Sequence, residues 1–347
     1  MGMPAQAQQN RMAAIDGLRA IAVLMVVAFH YLGRWPNDYT GLTFAPMFGF
    51  GWLGVDLFFV ISGYCIAMTA ERTESLAAFW GRRFGRIYPA YVAGVFLTFA
   101  LVSYFGLPDK GVTIVQALGN LVFLNAVAVP PVDGVYWSLI VELKFYFIYG
   151  FLLCISRRPS IILGGMAGLF VLGLGLRLVG IDHFDRIIRP EHIILFLIGA
   201  ALFFAHAQNS GVQQRPYYLL AVCAYLASFG TGAYDTVVPY AAVTLLAGMV
   251  VIATRRLPFL SILWPVGLIS YSWYLLHQNI GLLIIRALTS AGFADALAVS
   301  GAVAGTLVLS VMLYFVFENR SVRKQANQLF EKFFSILKLN RLADQSA

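Results

Sequence analysis

The chain is predicted to be an all-α polytopic membrane protein with about ten transmembrane helices, on three observations. Of its 347 residues 60% are hydrophobic and only 12% charged, against roughly 25% charged in a soluble domain. Mean hydropathy is +0.78. The cations fall in short clusters between long apolar runs, the pattern of topology signals, so the net charge of +8 does not point to nucleic acid.

Runs long enough to cross a bilayer lie near residues 14–33, 51–70, 88–106, 138–155, 160–180, 192–207, 216–231, 237–254, 268–288 and 296–318. An eleventh apolar run, 113–129, carries Gln116, Asn120 and Asn125. If it crossed, every basic cluster from Arg157 onward would move to the outside. If it does not, Arg72, Arg82, Arg83, Arg86, Arg157, Arg158, Arg215, Arg255, Arg256, Arg320, Arg323 and Lys324 share one side, which the positive-inside rule makes cytoplasmic. The expectation is therefore a re-entrant or interfacial segment near 113–129, with both termini cytoplasmic and scattered cations such as Arg34, Lys110, Arg186 and Arg189 outside. No cleavage site follows the first run, so it is read as an uncleaved span. Residues 1–320 form one membrane-embedded domain. Residues 321–347 form a cytoplasmic amphipathic tail, read as a helix on the inner leaflet or a partner-binding element.

Three cysteines, Cys65, Cys154 and Cys223, lie in apolar runs without paired or metal-like spacing and read as small core residues. No metal site and no permanently bound cofactor is expected.

Ionisable groups inside spans are costly and mark functional positions. In the first run, Arg19 and His30 are eleven positions apart; on a helix that returns to within about 20° of the same face, about 16 Å further along. Counted from the outer boundary, His30, Asp56 and Glu142 all fall in the outer third of their spans. A histidine and two carboxylates at one depth suit a general base and its orienting acid, because imidazole titrates near working pH. Other readings stay open: His30 as an interhelical hydrogen-bonding group, Glu142 in a structural ion pair, Asp56 as a helix cap. At the inner boundary, Arg82 and Arg86 are i, i+4 neighbours and Arg83 and Arg86 are i, i+3, so they can converge on one anion; membrane anchoring is the alternative. "SYSWYLLHQ" places Tyr271, Tyr274 and His277 on one span, and Glu318 closes the last span as a structural ion pair.

These motifs, "IDGLRAIAVLMVVAFH", "GVDLFFVISGY", "RRFGRIYPAY", "YWSLIVELKFY" and "SYSWYLLH" in that order, resemble the acyltransferase-3 family of bacterial membrane proteins, whose signature has ten residues between Arg and His. The resemblance runs from about Ile15 to Arg320. "FENRSVRK" departs from the family in lacking a Pro soon after Glu318, and no appended hydrolase-like domain is read in the chain. A second carrier step, if needed, is expected to come from another protein. The resemblance implies a multi-pass protein of the bacterial inner membrane that O-acylates carbohydrates. The donor is cytoplasmic acyl-CoA, expected to be acetyl-CoA, and the acceptor a surface or exported polysaccharide or a lipid-linked saccharide. On that expectation His30 is the general base, oriented by Glu142 or Asp56, and Arg19, Arg82, Arg83 and Arg86 hold the CoA phosphates. Trp137, Ser138, Tyr146, Tyr271, Tyr274 and His277 line the pocket. The rival reading is a transporter or flippase for a lipid-linked sugar, which also uses intramembrane His, Asp and Glu.

Overall fold

The computed structural model describes residues 5–34, 45–181, 185, 189–208, 211–254 and 258–337. Among these there is helix and no strand. This follows from the hydrocarbon environment, in which each backbone N–H and C=O must find its partner within its own segment. Among the described residues seven helices are long and apolar enough to cross a membrane: Ala13–Arg34, Leu53–Glu71, Leu76–Phe105, Gly134–Ile155, Pro159–Leu178, Pro190–Ala207 and Asp295–Glu318; a shorter apolar helix covers Val238–Ala253.

In chain order the helices are α1 (Ala5–Ala28), α2 (Leu53–Glu71), α3 (Leu76–Phe105), α4 (Ile114–Leu121), α5 (Trp137–Ile155), α6 (Pro159–Leu178), α7 (Pro190–Ala207), α8 (Gly211–Ser228), α9 (Val238–Thr254), α10 (Trp264–Ser290), α11 (Asp295–Leu313) and α12 (Arg320–Ile336). Segment 113–129 does not make one crossing helix. A Thr113–Gln116 capping box starts α4, whose eight residues rise only about 12 Å, and a 3-10 turn follows at Leu124–Ala126.

The third predicted span begins earlier than its apolar run. Ser75 caps α3 by accepting the Ala78 N–H, so the helix carries the arginine segment within its first turns and continues for 30 residues through Pro89. The residue whose carbonyl a proline ring would crowd, four positions back, is Gly85. The predicted tail forms α12 and packs along α3, so it is anchored to protein as well as presenting a face outward. Residues Arg186, Arg255, Arg256 and 338–347, which figured in the sequence reading, lie outside the described residues.

The core sits where α2, α7, α1 and α10 meet. Close backbone approach is built in: a Cβ on Gly63 would lie 2.1 Å from the Phe196 carbonyl oxygen, and one on Gly199 would lie 1.9 Å from that of Val60. Without a hydrophobic drive between helices in lipid, such small-residue contacts supply much of the cohesion.

Candidate active site

α1 does not end as an α-helix. From Phe29 to Arg34 it widens into a π-helical turn, an uncommon geometry found mostly at functional positions. His30 lies on this turn and is buried. Its Nδ1 is 2.9 Å from the Val26 carbonyl oxygen and 3.0 Å from Nε2 of His277. The hydrogen-bond partners assign the tautomers. His277 Nδ1 faces two carbonyl oxygens, of Tyr274 at 2.8 Å and Trp273 at 3.2 Å; carbonyls only accept, so Nδ1 carries the proton and Nε2 of the neutral ring accepts. His30 Nδ1–H then donates, shared between Val26 and His277. The basic lone pair of His30 is thereby on Nε2.

His277 is itself fixed. The Tyr31 hydroxyl donates to its backbone carbonyl at 2.6 Å. That hydroxyl occupies the place where a Cβ on Gly281 would stand, 1.9 Å away. Below it, the loop before α5 is riveted to α10: the buried Asp133 accepts the N–H of Asn279 at 2.9 Å and of Val135 at 3.1 Å. Burial pushes the Asp133 carboxyl up to about 7, against those two hydrogen bonds, which favour its charged form.

His30 lines a cavity together with Arg34, Trp52, Asp56, Trp137, His192 and Tyr234. Asp56 accepts from the Tyr234 hydroxyl at 3.0 Å, and Tyr234 stacks on Trp52 with ring centres 6.2 Å apart. Burial and the adjacent Asp56 push the Tyr234 phenol up, so it remains a donor. Glu191, also on this wall, is tied by Arg177 at 2.6 Å and more loosely by Arg189 at 3.8 Å. The cavity thus mixes aromatic faces with paired polar groups, the usual character of a small-molecule site.

A second cavity is lined by Arg19, Arg86, Ser138, Glu142, Tyr271 and Tyr274 among others. Val55 and Tyr274 border both cavities, so the two adjoin at one wall, where the Tyr274 hydroxyl is 2.6 Å from Ser138 Oγ and donates to the Val135 carbonyl at 3.1 Å. Arg19 is 3.7 Å from Asp16. Among the described residues Arg86 makes no ion pair within 4 Å.

Several expected positions need correction. Glu142 does not orient His30: it accepts from Ser62 at 3.1 Å and Tyr146 at 2.6 Å and belongs to the second cavity, so Tyr146 acts as its holder. Asp56 shares the His30 cavity but bonds Tyr234. The three neighbouring arginines do not converge. Arg82 turns outward to the Arg72 carbonyl at 3.0 Å; Arg83 turns into the bundle, donating to the Cys65 carbonyl and the Thr69 hydroxyl with its guanidinium 5.6 Å from the centre of the Tyr146 ring. Only Arg86 reaches the cavity, beside Arg19. Trp137 is half exposed at the outer cavity, its ring edge-on to Phe59 at 6.2 Å. Pairing of His277 with His30 was not foreseen; the one signal was their shared polar character on separate apolar spans.

A family model described as an acyltransferase domain matches residues 12–315. The peptidoglycan O-acetyltransferase OatA of Listeria monocytogenes is 32% identical over 187 residues, 47% of this chain and 27% of that protein. The O-acetyltransferase OatA of Staphylococcus aureus is 29% identical over 187 residues, 48% of this chain and 29% of that protein. The match thus spans less than a third of the length of these curated relatives. No solved structure matches the chain. With the family model covering most of its length, the chain belongs to the acyltransferase-3 family.

Proposed function

We propose that this protein moves an acetyl group from cytoplasmic acetyl-CoA to a hydroxyl of a carbohydrate on the opposite side of the bacterial inner membrane. The observation that carries this reading is the His30–His277 pair at a cavity that adjoins, across Tyr274 and Val55, a second cavity holding Arg19 and Arg86. α1, α2, α3 and α5 to α11 then make ten crossings, with the ends of α1 and α12 on the cytoplasmic side and α4 as a partial insertion. The names of the relatives support transfer of acetyl to a cell-wall carbohydrate.

In this reading Arg19 and Arg86 hold the anionic nucleotide end of the donor, since guanidinium forks suit phosphate. The pantetheine arm reaches toward Tyr274, bringing the thioester to the shared wall. The acceptor sugar rests its apolar ring face on Trp52, Trp137 or Tyr234 and presents one hydroxyl to His30 Nε2. His30 takes the hydroxyl proton as the oxygen attacks the thioester carbon. The tetrahedral intermediate then collapses, the C–S bond breaks, and the imidazolium proton accounts for the thiol of released CoA. The Ser138 and Tyr274 hydroxyls, which both donate to the Val135 carbonyl at rest, lie at this wall and serve the developing oxyanion on turning from it, a contribution of about 3 kcal/mol per donor in other enzymes. His277 gives the His30 ring a second acceptor and a surface to rest against, and so fixes its position.

The test is CoA-dependent acetylation of carbohydrate in cells with and without the protein, read by mass spectrometry of surface saccharides. A lost increment of one acetyl group per site supports the reading. Identical saccharides, together with transport of a lipid-linked sugar by the purified protein, would favour a flippase instead.

A further inference from the structure

We propose that α12 completes the donor site, with Arg323 as its third cation for a phosphate group of the CoA nucleotide. This rests on the donor reading above and extends it to a segment outside the membrane spans.

The geometry starts with two glycines. A Cβ on Gly81 would lie 2.8 Å from the Asn327 carbonyl oxygen and 2.9 Å from the Glu331 backbone nitrogen, and one on Gly85 would lie 2.7 Å from the Asn327 nitrogen. The backbones of α3 and α12 therefore touch, and the order of contacts, 81 with 327 and 331, 85 with 327, makes them antiparallel. One turn further along each helix brings residue 323 opposite the stretch from Arg86 to Pro89. Aromatic contacts hold this register: Phe84 lies 5.6 Å from Phe330 and 5.2 Å from Phe334, and Tyr88 lies 5.4 Å from Phe330.

The charges gather around one buried carboxylate. Glu318, on the π-helical turn Tyr314–Glu318 just before α12, accepts from the Ser272 hydroxyl at 2.5 Å, next to Tyr271 of the donor cavity. Arg19, Arg323 and Arg86, from three helices, all act on Glu318 electrostatically, and the same three act on Asp16. Among the described residues none of the three forms an ion pair within 4 Å with Glu318. Three cations thus face two carboxylates, one of them occupied by a serine, and the excess positive charge adjoins the cavity. Arg323 keeps exposed surface although its guanidinium is partly desolvated by its neighbours, so a ligand can reach it at the aqueous edge of the cluster. On the other flank of α12, Leu329, Phe333 and Ile336 are exposed at spacings of four and three, a stripe suited to the inner leaflet. The helix is seated between lipid and α3, which holds Arg323 in place.

The experiment is calorimetric titration of the purified full-length protein with CoA, on the parent and on Arg323→Glu, Arg323→Lys, Arg86→Ala and Lys324→Ala. Expected are a loss of about tenfold or more in affinity for Arg323→Glu and Arg86→Ala, as for removal of a charge-assisted contact, near-parent affinity for Arg323→Lys, and no change for Lys324→Ala. Gly85→Leu, which wedges α12 off α3, should fall to the level of Arg323→Glu. Parent affinity in Arg323→Glu with weakened binding in Arg86→Ala would overturn the role of α12 and leave the donor reading standing. Unchanged binding in both would remove the donor reading itself. Parent CoA affinity with lost retention of phosphatidylglycerol in vesicles would assign Arg323 to lipid and overturn the proposal.

Discussion

Replacing His277 by Ala separates positioning from chemistry. The His30 Nδ1–H is shared between the Val26 carbonyl at 2.9 Å and His277 Nε2 at 3.0 Å, so the variant keeps one acceptor and the reactive tautomer but loses the side chain against which the ring rests, 4.9 Å between ring centres. A general base contributes about 10²- to 10⁴-fold, and displacement of a reacting group by about 1 Å can cost about 10²-fold. His277→Ala should therefore lose about 10- to 100-fold in transfer, about 1.4 to 2.7 kcal/mol, while His30→Ala loses about 10²-fold or more. Because His277 acts only through His30, the double variant should be no slower than His30→Ala, the strong non-additivity of residues that work as one unit. The assay is acceptor-dependent release of CoA thiol in membranes containing each variant, with melting temperature as the check on folding. Transfer at the parent rate in His277→Ala, or a double variant slower by the product of the two single losses, would refute the assignment of His277 as the residue that positions His30.

Three further outcomes follow from the geometry. Arg82→Ala should leave CoA affinity unchanged and Arg86→Ala should weaken it by about tenfold, measured by titration; equal loss in both would restore the convergent trio. Gly199→Leu, placed 1.9 Å from a backbone oxygen at its first side-chain carbon, should destabilise by about 1–3 kcal/mol or more, seen as a lower melting temperature in detergent, and an unchanged value would contradict the close α2–α7 contact. For Asp133, the folded value of about 7 lies above the ordinary 3.8, so the folded state holds a proton that the unfolded chain has lost between those values. Its stabilisation is full below the lower value and disappears as pH rises through the upper. Melting temperature should fall from pH 5.5 to pH 8, and fall less in Asp133→Asn; equal slopes would contradict it.

The helical class and the apolar runs were legible because lipid admits one backbone solution for a chain without barrel alternation. The sequence spacing of Arg19 and His30 assumed one unbroken α-helix; α1 gives way to a π-helical turn at Phe29, and the two residues line different cavities. Counting from the boundaries gave heights but not azimuths: Glu142 turns to Ser62, nine residues into α2 or about 13 Å deep, rather than to His30. The i, i+3 and i, i+4 spacing of the arginines was real, yet neighbours decided their directions, because α2 lies on the Arg83 side of α3 and the Arg72 carbonyl on the Arg82 side. The His30–His277 contact joins residues 247 positions apart, and the π-helical turn that presents His30 has no sequence signature of its own. The amphipathicity of the tail announced a helix, but its two apolar stripes, Phe330 and Phe334 toward α3 and Leu329 and Phe333 outward, are told apart only once α3 is in place.

The most direct measurement of the division between donor grip and proton abstraction is CoA affinity and transfer rate on the same preparation of His30→Ala. The expected result is CoA binding within about twofold of the parent with transfer reduced by about 10²-fold or more. A well-folded His30→Ala that transfers at close to the parent rate, or one that loses transfer only because it no longer binds CoA, would contradict a base at His30 standing apart from the arginines that hold the donor.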